Sequence, residues 1–434
     1  MKRAAALAAA GAAALAVAGC GSPEPSSCRP PDAAPTTVSG SDRRAPVVAN
    51  DGAARAVVAW ESLAGRGVEA TVRDRASAGW GPPVAISAPA ARDVDVAMDP
   101  AGDAIAVWQR QPVGGAERIE VAARPPGGAW SSPTAISAQG TRARQPVVDM
   151  DGRGGAVVAW RRDSGGVNAV IEVAERGVDG RWSRPRALSD PDRRARRPRL
   201  AVAPDGAAVV VWEERVDGVA AVGAATRTPG GRWSPAAVIS GAVVKSHEPD
   251  VAIGASGNAT AIWIAGDDDG AGAFAAASRS DGSWEAPRRL APGDAPPREV
   301  PRPGRAGTGA DVAVLPDGRA VAAWTLHAGG ADVVATATRT GGTWGSPRRV
   351  SRGGIGGGVQ VAALAGGGAL LAWEELGDGL IRARAARVAS GPAGCVDLSA
   401  ARSETGGVHV AGGAVPLVAF LDLNRSRVAV ATSP

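Results

Sequence analysis

The sequence predicts an all-β protein, an eight-bladed β-propeller of four-stranded blades whose ring is closed by a strand from the N-terminal side. Three observations predict it. Trp recurs in two interleaved series with a period of about 50 residues, Trp60, Trp108, Trp160, Trp212, Trp263, Trp324 and Trp373, then Trp80, Trp130, Trp182, Trp233, Trp284 and Trp344, which together use all 13 Trp of the 434 residues. A period of that length marks a repeat architecture in which each unit is one small sheet. Within each unit, short β-type segments alternate with Gly-rich turns, and the position four residues before the first Trp is always Ala (Ala56, Ala104, Ala156, Ala208, Ala259, Ala320, Ala369), small enough for neighbouring sheets to pack closely.

Each unit reads as four strands. The first alternates, as in Pro46-Val47-Val48-Ala49, and tight turns such as Asp51-Gly52, Asp151-Gly152, Asp205-Gly206 and Asp317-Gly318 lead into the second. The second is a continuous apolar run ending in Trp (Ala56 to Trp60, Ala156 to Trp160, Ala208 to Trp212), and a run without polar alternation is buried on both faces. The third includes Val68 to Arg73 and Val334 to Arg339. The fourth follows Trp-x-x-Pro-x-x-aliphatic-Ser, as in Trp130 to Ser137, Trp182 to Ser189 and Trp344 to Ser351, and its Pro suits an edge strand because it has no N–H to give to a ladder. An Arg recurs at the end of the third strand (Arg73, Arg124, Arg176, Arg227, Arg279, Arg339, Arg387), where stacking on the following Trp or a salt bridge within the blade would account for it.

Seven full units span 46–87, 93–137, 145–189, 197–240, 248–292, 309–351 and 358–399. Val408 to Ala431 supplies three further strands, with Phe420 in the Trp position, and Pro35-Thr36-Thr37-Val38-Ser39 matches the fourth-strand text Pro133-Thr134-Ala135-Ile136-Ser137. The N-terminal strand then completes the last blade. The alternative is seven blades with a loose tail.

The domain organisation follows: 1–19 a lipoprotein signal peptide, 20–34 a flexible tether and 35–434 a single propeller domain. Met1 to Arg3 are positively charged, Ala4 to Ala18 are apolar but shorter than the roughly 20 residues a membrane span needs, and Val17-Ala18-Gly19-Cys20 resembles a bacterial lipobox. Cys20 is therefore the expected lipidation site, the membrane a partner through that anchor, and the cell envelope, on the extracytoplasmic side, the expected location. The tether is rich in Pro, Ser and Gly and would span on the order of 20 Å. Cys28 and Cys395 remain. An oxidising compartment and a topology that puts Cys28 before the closing strand and Cys395 in the outer strand of the adjacent blade favour a disulfide over two lone thiols.

Composition narrows the chemistry. There are 48 Lys+Arg and 43 Asp+Glu, a net +5, and Lys occurs only at Lys2 and Lys245, so the basic residues are almost all Arg. The charges are mixed along the chain without a basic arm, so nucleic acid is not an expected partner, and a monomer is expected. The absence of Tyr removes every mechanism that needs a phenol. His247, His327 and His409 fall in different blades without metal-ligand spacing, and no Gly-x-Ser-x-Gly or Cys-His arrangement occurs. No cofactor is expected. Asp267-Asp268-Asp269-Gly270 has the oxygen density of a calcium site but lacks the alternating acids and distal Glu of an EF-hand loop, which favours a solvated turn.

Candidate ligand residues come from one column. Just inside the first strand the eight units carry Val47, Asp95, Val147, Arg199, Asp250, Asp311, Gln360 and His409, each followed by an aliphatic residue (Val48, Val96, Val148, Leu200, Val251, Val312, Val361, Val410). Alternation puts the first set towards the channel. Asp95, Arg199, Asp250, Asp311, Gln360 and His409 are the candidate ligand-binding residues, the Asp as cation or sugar-hydroxyl acceptors and Arg199 as an anion contact; the competing account pairs Arg199 with Asp250 across neighbouring blades. The loops on this face carry Arg43, Arg44, Arg142, Arg144, Arg193, Arg194, Arg196 and Lys245 in one class and Glu213, Glu214, Asp217, Asp267, Asp268, Asp269, Glu374, Glu375 and Asp378 in another, read as solvated cross-paired charge. The long Pro-rich connection Pro292 to Gly309 is a lid or a tolerated insertion.

The turn text Gly127-Gly128-Ala129-Trp130-Ser131-Ser132-Pro133, between third and fourth strands, resembles the Asp-box turns of sialidase-like propellers, Ser-x-Asp-x-Gly-x-Thr-Trp. Here the Gly stands two rather than three residues before Trp and the Asp is absent from most copies. The resemblance implies the architecture. Sialidase activity, which uses a Tyr nucleophile, is excluded by the missing Tyr. The functional expectation is a non-enzymatic envelope propeller that binds protein or glycan, with a polysaccharide hydrolase or lyase as the alternative.

Overall fold

A computed structural model describes residues 34–40, 43–62, 67–75, 79–163, 168–241, 245–267, 270–279, 282–292, 309–328, 331–351, 358–377, 379–388, 395–399 and 405–432, with Cys28 and Gly354 besides. The described residues are almost wholly β; one 3-10 turn, Pro191–Arg193, is the exception, and no described helix is long and apolar enough to cross a membrane. Cys20, the signal peptide, most of the tether, Asp268, Asp269, Asp378 and 293–308 of the long connection lie outside the described residues.

Eight antiparallel sheets form the ring. Blade 1 consists of Arg43–Asn50, Ala56–Ser62, Gly67–Arg73 and Val84–Ala85, paired in that order from the channel outwards. The inner strands of blades 2 to 8 are Ala91–Met98, Arg142–Met150, Arg196–Val202, Lys245–Ile253, Ala310–Val314, Gln360–Ala363 and Thr405–Ala411. In blade 6 the outer position is split between Thr343–Trp344 and Arg348–Arg349, both paired with Ala331–Thr340. Most outer strands are only two residues long, since the Pro that opens them ends the ladder.

Blade 8 is built from both ends of the chain. Thr36–Thr37 pairs with Arg427–Thr432, Thr36 opposite Val430, and Val38 N–H donates to Val428 C=O at 3.0 Å. Eight blades close the ring. Cys28 and Cys395 are joined, with Cα atoms 4.8 Å apart, so the segment before the closing strand is also bonded covalently to the outer strand of blade 7, Cys395–Asp397.

There is no central core. Each hydrophobic cluster is shared by two neighbouring blades, and the eight clusters form a cycle. The first-series Trp of each blade packs against the blade before it: Trp108 with Val57, Ala59 and Ala70 of blade 1, Trp60 with Leu417, Ala419 and Val430 of blade 8, and Phe420 with Leu370, Ala372 and Ala385 of blade 7. All seven first-series Trp are at most 1% exposed, and the Ala four residues earlier are buried in every blade. The indole N–H groups of Trp60, Trp108 and Trp160 donate to Glu69, Glu120 and Glu172, their cross-strand neighbours, and that of Trp212, which faces Gly223 instead, donates to Glu214 at 2.8 Å.

The recurring Arg works partly as expected. Arg73 and Arg227 stack on Trp80 and Trp233. The ion pairs run between blades rather than within one: Arg124 to Asp74, Arg227 to Glu175 and Arg339 to Glu285, each acid belonging to the preceding blade. The reason is reach, because the Arg lies at the end of a strand next to the interblade crevice.

Ala208→Leu should overpack the sheet contact and lower unfolding free energy by about 1–3 kcal/mol, read by urea unfolding. Cys395→Ala, which opens a bridge between positions 367 residues apart, should lower stability by about 2–5 kcal/mol, and intact-mass labelling of the parent should find no alkylatable thiol at Cys28 or Cys395.

Candidate channel site

An inner strand has a sheet neighbour on one edge only, and its other edge turns amides towards the channel. A buried amide without an acceptor costs about 1–3 kcal/mol. The polar column supplies the acceptors, each to the next blade. Asp95 Oδ2 accepts from Val148 N–H at 3.0 Å, Asp250 Oδ2 from Val312 at 3.3 Å, Asp311 Oδ2 from Val361 at 2.9 Å, Gln360 Oε1 from Val410 at 2.9 Å and His409 Nδ1 from Val48 at 3.3 Å. The His409 bond lies across the seam between the last blade and the first.

Blade 3 has Val147 in this column, and Asp149, two residues deeper on the same strand face, takes over by accepting from Val202 at 2.7 Å. Asp149 was not among the sequence candidates. Its signal was present, since an acid at the second alternate position faces the same way as the column. Blade 4 has Arg199, whose Nε lies 3.7 Å from Asp250 Oδ1, the cross-blade pair that competed with a ligand role.

The channel therefore brings together Arg199, Asp250 and Asp311 on three consecutive blades. Asp95 is apart from them and neighbours Asp149, while Gln360 and His409 continue the ring to the seam. Burial first, and the adjacent Asp250 second, push the Asp311 carboxyl well above the usual carboxylate range, against the pull of the Val361 and Val312 amides. Burial likewise raises Asp149 to about 7, with Asp95 adding to the shift and the Val202 and Met150 amides opposing it.

A second ring sits nearer the mouth. Six inner strands carry a bulge two residues before the column, and the bulged residue has left-handed φ: Ala45 49°, Asp93 52°, Gln145 54°, Arg197 53°, Glu248 54° and Gly407 64°. The bulge turns its amide out of the ladder, where a side chain of the preceding blade receives it. Glu61 accepts from Asp93 N–H at 2.6 Å, Gln145 from Arg197 at 3.2 Å, Glu213 from Glu248 at 2.8 Å and Glu374 from Gly407 at 2.6 Å, and in blade 6, whose inner strand has no bulge, Glu248 accepts from Gly309 at the equivalent position at 3.0 Å. Three of these acids directly follow the first-series Trp (Trp60-Glu61, Trp212-Glu213, Trp373-Glu374), a pairing that can be read in the sequence.

Four members of the acidic loop class are buried rather than solvated, which corrects that expectation for them, while Asp217 is exposed as expected and Glu213 and Glu214 are cross-paired with Arg193, Arg196 and Arg197. Glu213 and Glu214 are 2% exposed, and Glu374 and Glu375 are also buried. Burial opposes ionisation of Glu213, but Arg197, the Glu248 amide and Arg196 outweigh it and hold its carboxyl below the usual range. Glu117 is also buried and forms ion pairs with Arg92 at 2.7 Å and Arg144 at 2.6 Å. Off the axis, a cleft of about 390 Å³ opens on blade 2 between Ala90–Arg92 and Gln111–Gly114. Among the described residues no group of three or more His, Cys, Asp or Glu is placed to hold a metal ion, and the calcium reading of 267–270 falls mainly outside them.

The Asp149 carboxyl keeps its proton in the folded chain up to about pH 7, whereas an unfolded Asp releases it near pH 4, so its contribution is complete below about pH 4 and is lost as pH rises through about 7. Urea unfolding should lose up to about 4 kcal/mol over that window, and Asp149→Asn should flatten the slope. An unchanged slope would refute the assignment.

No protein-family model matches the sequence, and no curated protein matches it. Solved structures do. A lectin of Burkholderia pseudomallei is 16% identical, covering 83% of this chain and 100% of the lectin at a TM-score of 0.55. An ulvan lyase, a polysaccharide lyase, is 10% identical over 84% of this chain and 96% of its own, at 0.50. A Hadza microbial sialidase is 14% identical over 76% of each chain, at 0.42. At these identities the likeness is one of fold: a closed propeller ring of the kind found in lectins and polysaccharide lyases.

Proposed function

We propose that the protein is an envelope-anchored propeller that binds a glycan or protein ligand on the face bearing the channel mouth and performs no chemistry of its own. One observation carries this reading. The channel carboxylates Asp95, Asp149, Asp250 and Asp311 each accept an amide of the next blade, so the polar ring is engaged in holding blades together. A general acid or nucleophile must instead present its oxygen to substrate. Asp95, Arg199, Asp250, Asp311, Gln360 and His409 then act as the frame of the binding face, holding the inner strands in the spacing that shapes the mouth. The disulfide belongs to an oxidising, extracytoplasmic compartment. A membrane anchor at Cys20 agrees with that address, and a fold shared with a lectin is compatible with a glycan ligand.

A hydrolase or lyase acting on polysaccharide is the second reading, and the Asp250 and Asp311 pair favours it, because two carboxyls of which one keeps its proton is an acid-catalyst arrangement. A glycan array followed by product assays on every bound polymer separates the two. Saturable binding without new reducing ends and without unsaturated-uronate absorbance is expected. Release of either product, abolished by Asp311→Asn in a variant that still folds, would establish the enzyme instead.

A further inference from the structure

The outer strands of four blades are uncharged: Val84–Ala85 in blade 1, Thr134–Ala135 in blade 2, Ala237–Val238 in blade 4 and Thr36–Thr37 in blade 8. Blade 3 carries an exposed Arg pair, Arg184 and Arg186, flanked on both sides by uncharged outer strands. Blades 5 and 6 differ. Their outer strands, Arg288–Pro292 and Arg348–Arg349, carry Arg288, Arg289, Arg348 and Arg349 on neighbouring blades, all four exposed. Arg289 lies over Phe274, and Arg349 Nε donates to Ser351 C=O at 2.6 Å. None of the four meets an acid among the described residues. Glu285 is occupied by Arg339, and Asp397, on the outer strand of blade 7, by Arg384 at 2.9 Å.

The disulfide puts the N-terminal segment at the same place. Cys28 is bonded to Cys395 on blade 7, next to blade 6. If Cys20 carries the lipid, eight residues join the anchor to that rim, and whatever their conformation they reach at most about 28 Å. Without the bond the leash would run to Thr36 and be about twice as long. A blade is about 14 Å from inner to outer strand at ordinary strand spacing, so the opposite rim lies two blades and a channel away, beyond that reach. The anchor is thus confined to the half of the rim centred on blade 7, which includes blade 6 and excludes the opposite rim.

We propose that the outer rim of blades 5 and 6 is a docking surface for anionic phospholipid headgroups, which sets the propeller edge-on to the membrane beside its anchor. The geometry rests on the envelope-anchored reading for the side the lipid emerges from, and on the exposed Arg cluster for the contact. A diacylglycerol on Cys20 would hold the chain to the membrane but leave its tilt open, and a basic patch beside the anchor adds electrostatic attraction that selects one face. Arg suits the role because its fork of donors meets phosphate oxygens in pairs. Edge-on docking also leaves the channel mouth unobstructed.

The test is hydrogen exchange of the full chain on phosphatidylcholine vesicles and on vesicles with about a third phosphatidylglycerol. Protection of Arg288–Pro292 and Arg348–Arg349 is expected on the anionic vesicles only, with at least about tenfold tighter association than on neutral ones. The quadruple variant R288Q/R289Q/R348Q/R349Q should lose both effects, the four-fold Arg→Lys variant should keep most of the association, and Arg184→Gln with Arg186→Gln, on the outer edge of blade 3, should behave as the parent. The proposal is overturned by equal protection on the two vesicle types, by protection on the rims of blades 1 to 4 instead, by an unaffected quadruple variant, or by rim protection from a soluble anionic polysaccharide but not from vesicles. A chain that ignores neutral vesicles yet binds anionic ones through this rim would sink the lipid anchor while supporting the rim.

Discussion

The unpaired inner edge of each blade is the constraint on which the structure depends. A propeller arranges its sheets radially, so eight inner strands face a channel with one edge of amides lacking a ladder partner. In this chain the edge is closed by side chains of the preceding blade, first at the column that runs from Asp95 to His409 and again at the bulges near the mouth. Each bond crosses a blade boundary. The residues that satisfy the backbone are therefore also the ones that set the spacing between blades.

The apolar clusters have the same cyclic logic. Every first-series Trp, and Phe420 in blade 8, fills the crevice towards the preceding blade, so a blade's core is complete only when its neighbour is present. That makes the seam between the ends of the chain decisive. It is secured four times: by the pairing of Thr36–Thr37 with Arg427–Thr432, by the shared cluster of blades 8 and 1, by His409 accepting from Val48, and by Asn50 donating to Gly412 C=O at 2.6 Å. The disulfide then ties the start of the closing strand to blade 7, so fraying would have to break a covalent bond as well.

Electrostatics follows from the same geometry. Carboxylates recruited as backbone acceptors end up buried and close to one another, and two of them, Asp149 and Asp311, respond by holding their protons more tightly. Where Arg reaches a buried acid, as Arg196 and Arg197 reach Glu213, the acid stays ionised. The wheel thus keeps its charge inside in compensated groups, whereas blades 5 and 6 carry four exposed Arg on consecutive outer strands.

Repeat period, strand order, the small Ala beside each Trp, the N-terminal strand in blade 8 and the Cys28–Cys395 bridge were all legible in the sequence, because each rests on local pattern or on counting strands to the ends. The polar column was legible as a column facing the channel. Its partners were not, since an acceptor such as Asp95 and its donor at Val148 are 53 residues apart and meet only when the ring closes. The bulges at Asp93 and Gln145 escaped for a related reason: a residue in left-handed conformation that is not Gly has no local sequence mark, and it is the neighbouring Glu61 or the next inner strand that makes the kink worthwhile. By itself, then, the sequence determined which strands exist and in what order they wind. Only the tertiary structure decided what the polar residues do there, because a hydrogen bond between blades is a property of two repeats in contact and of neither one alone.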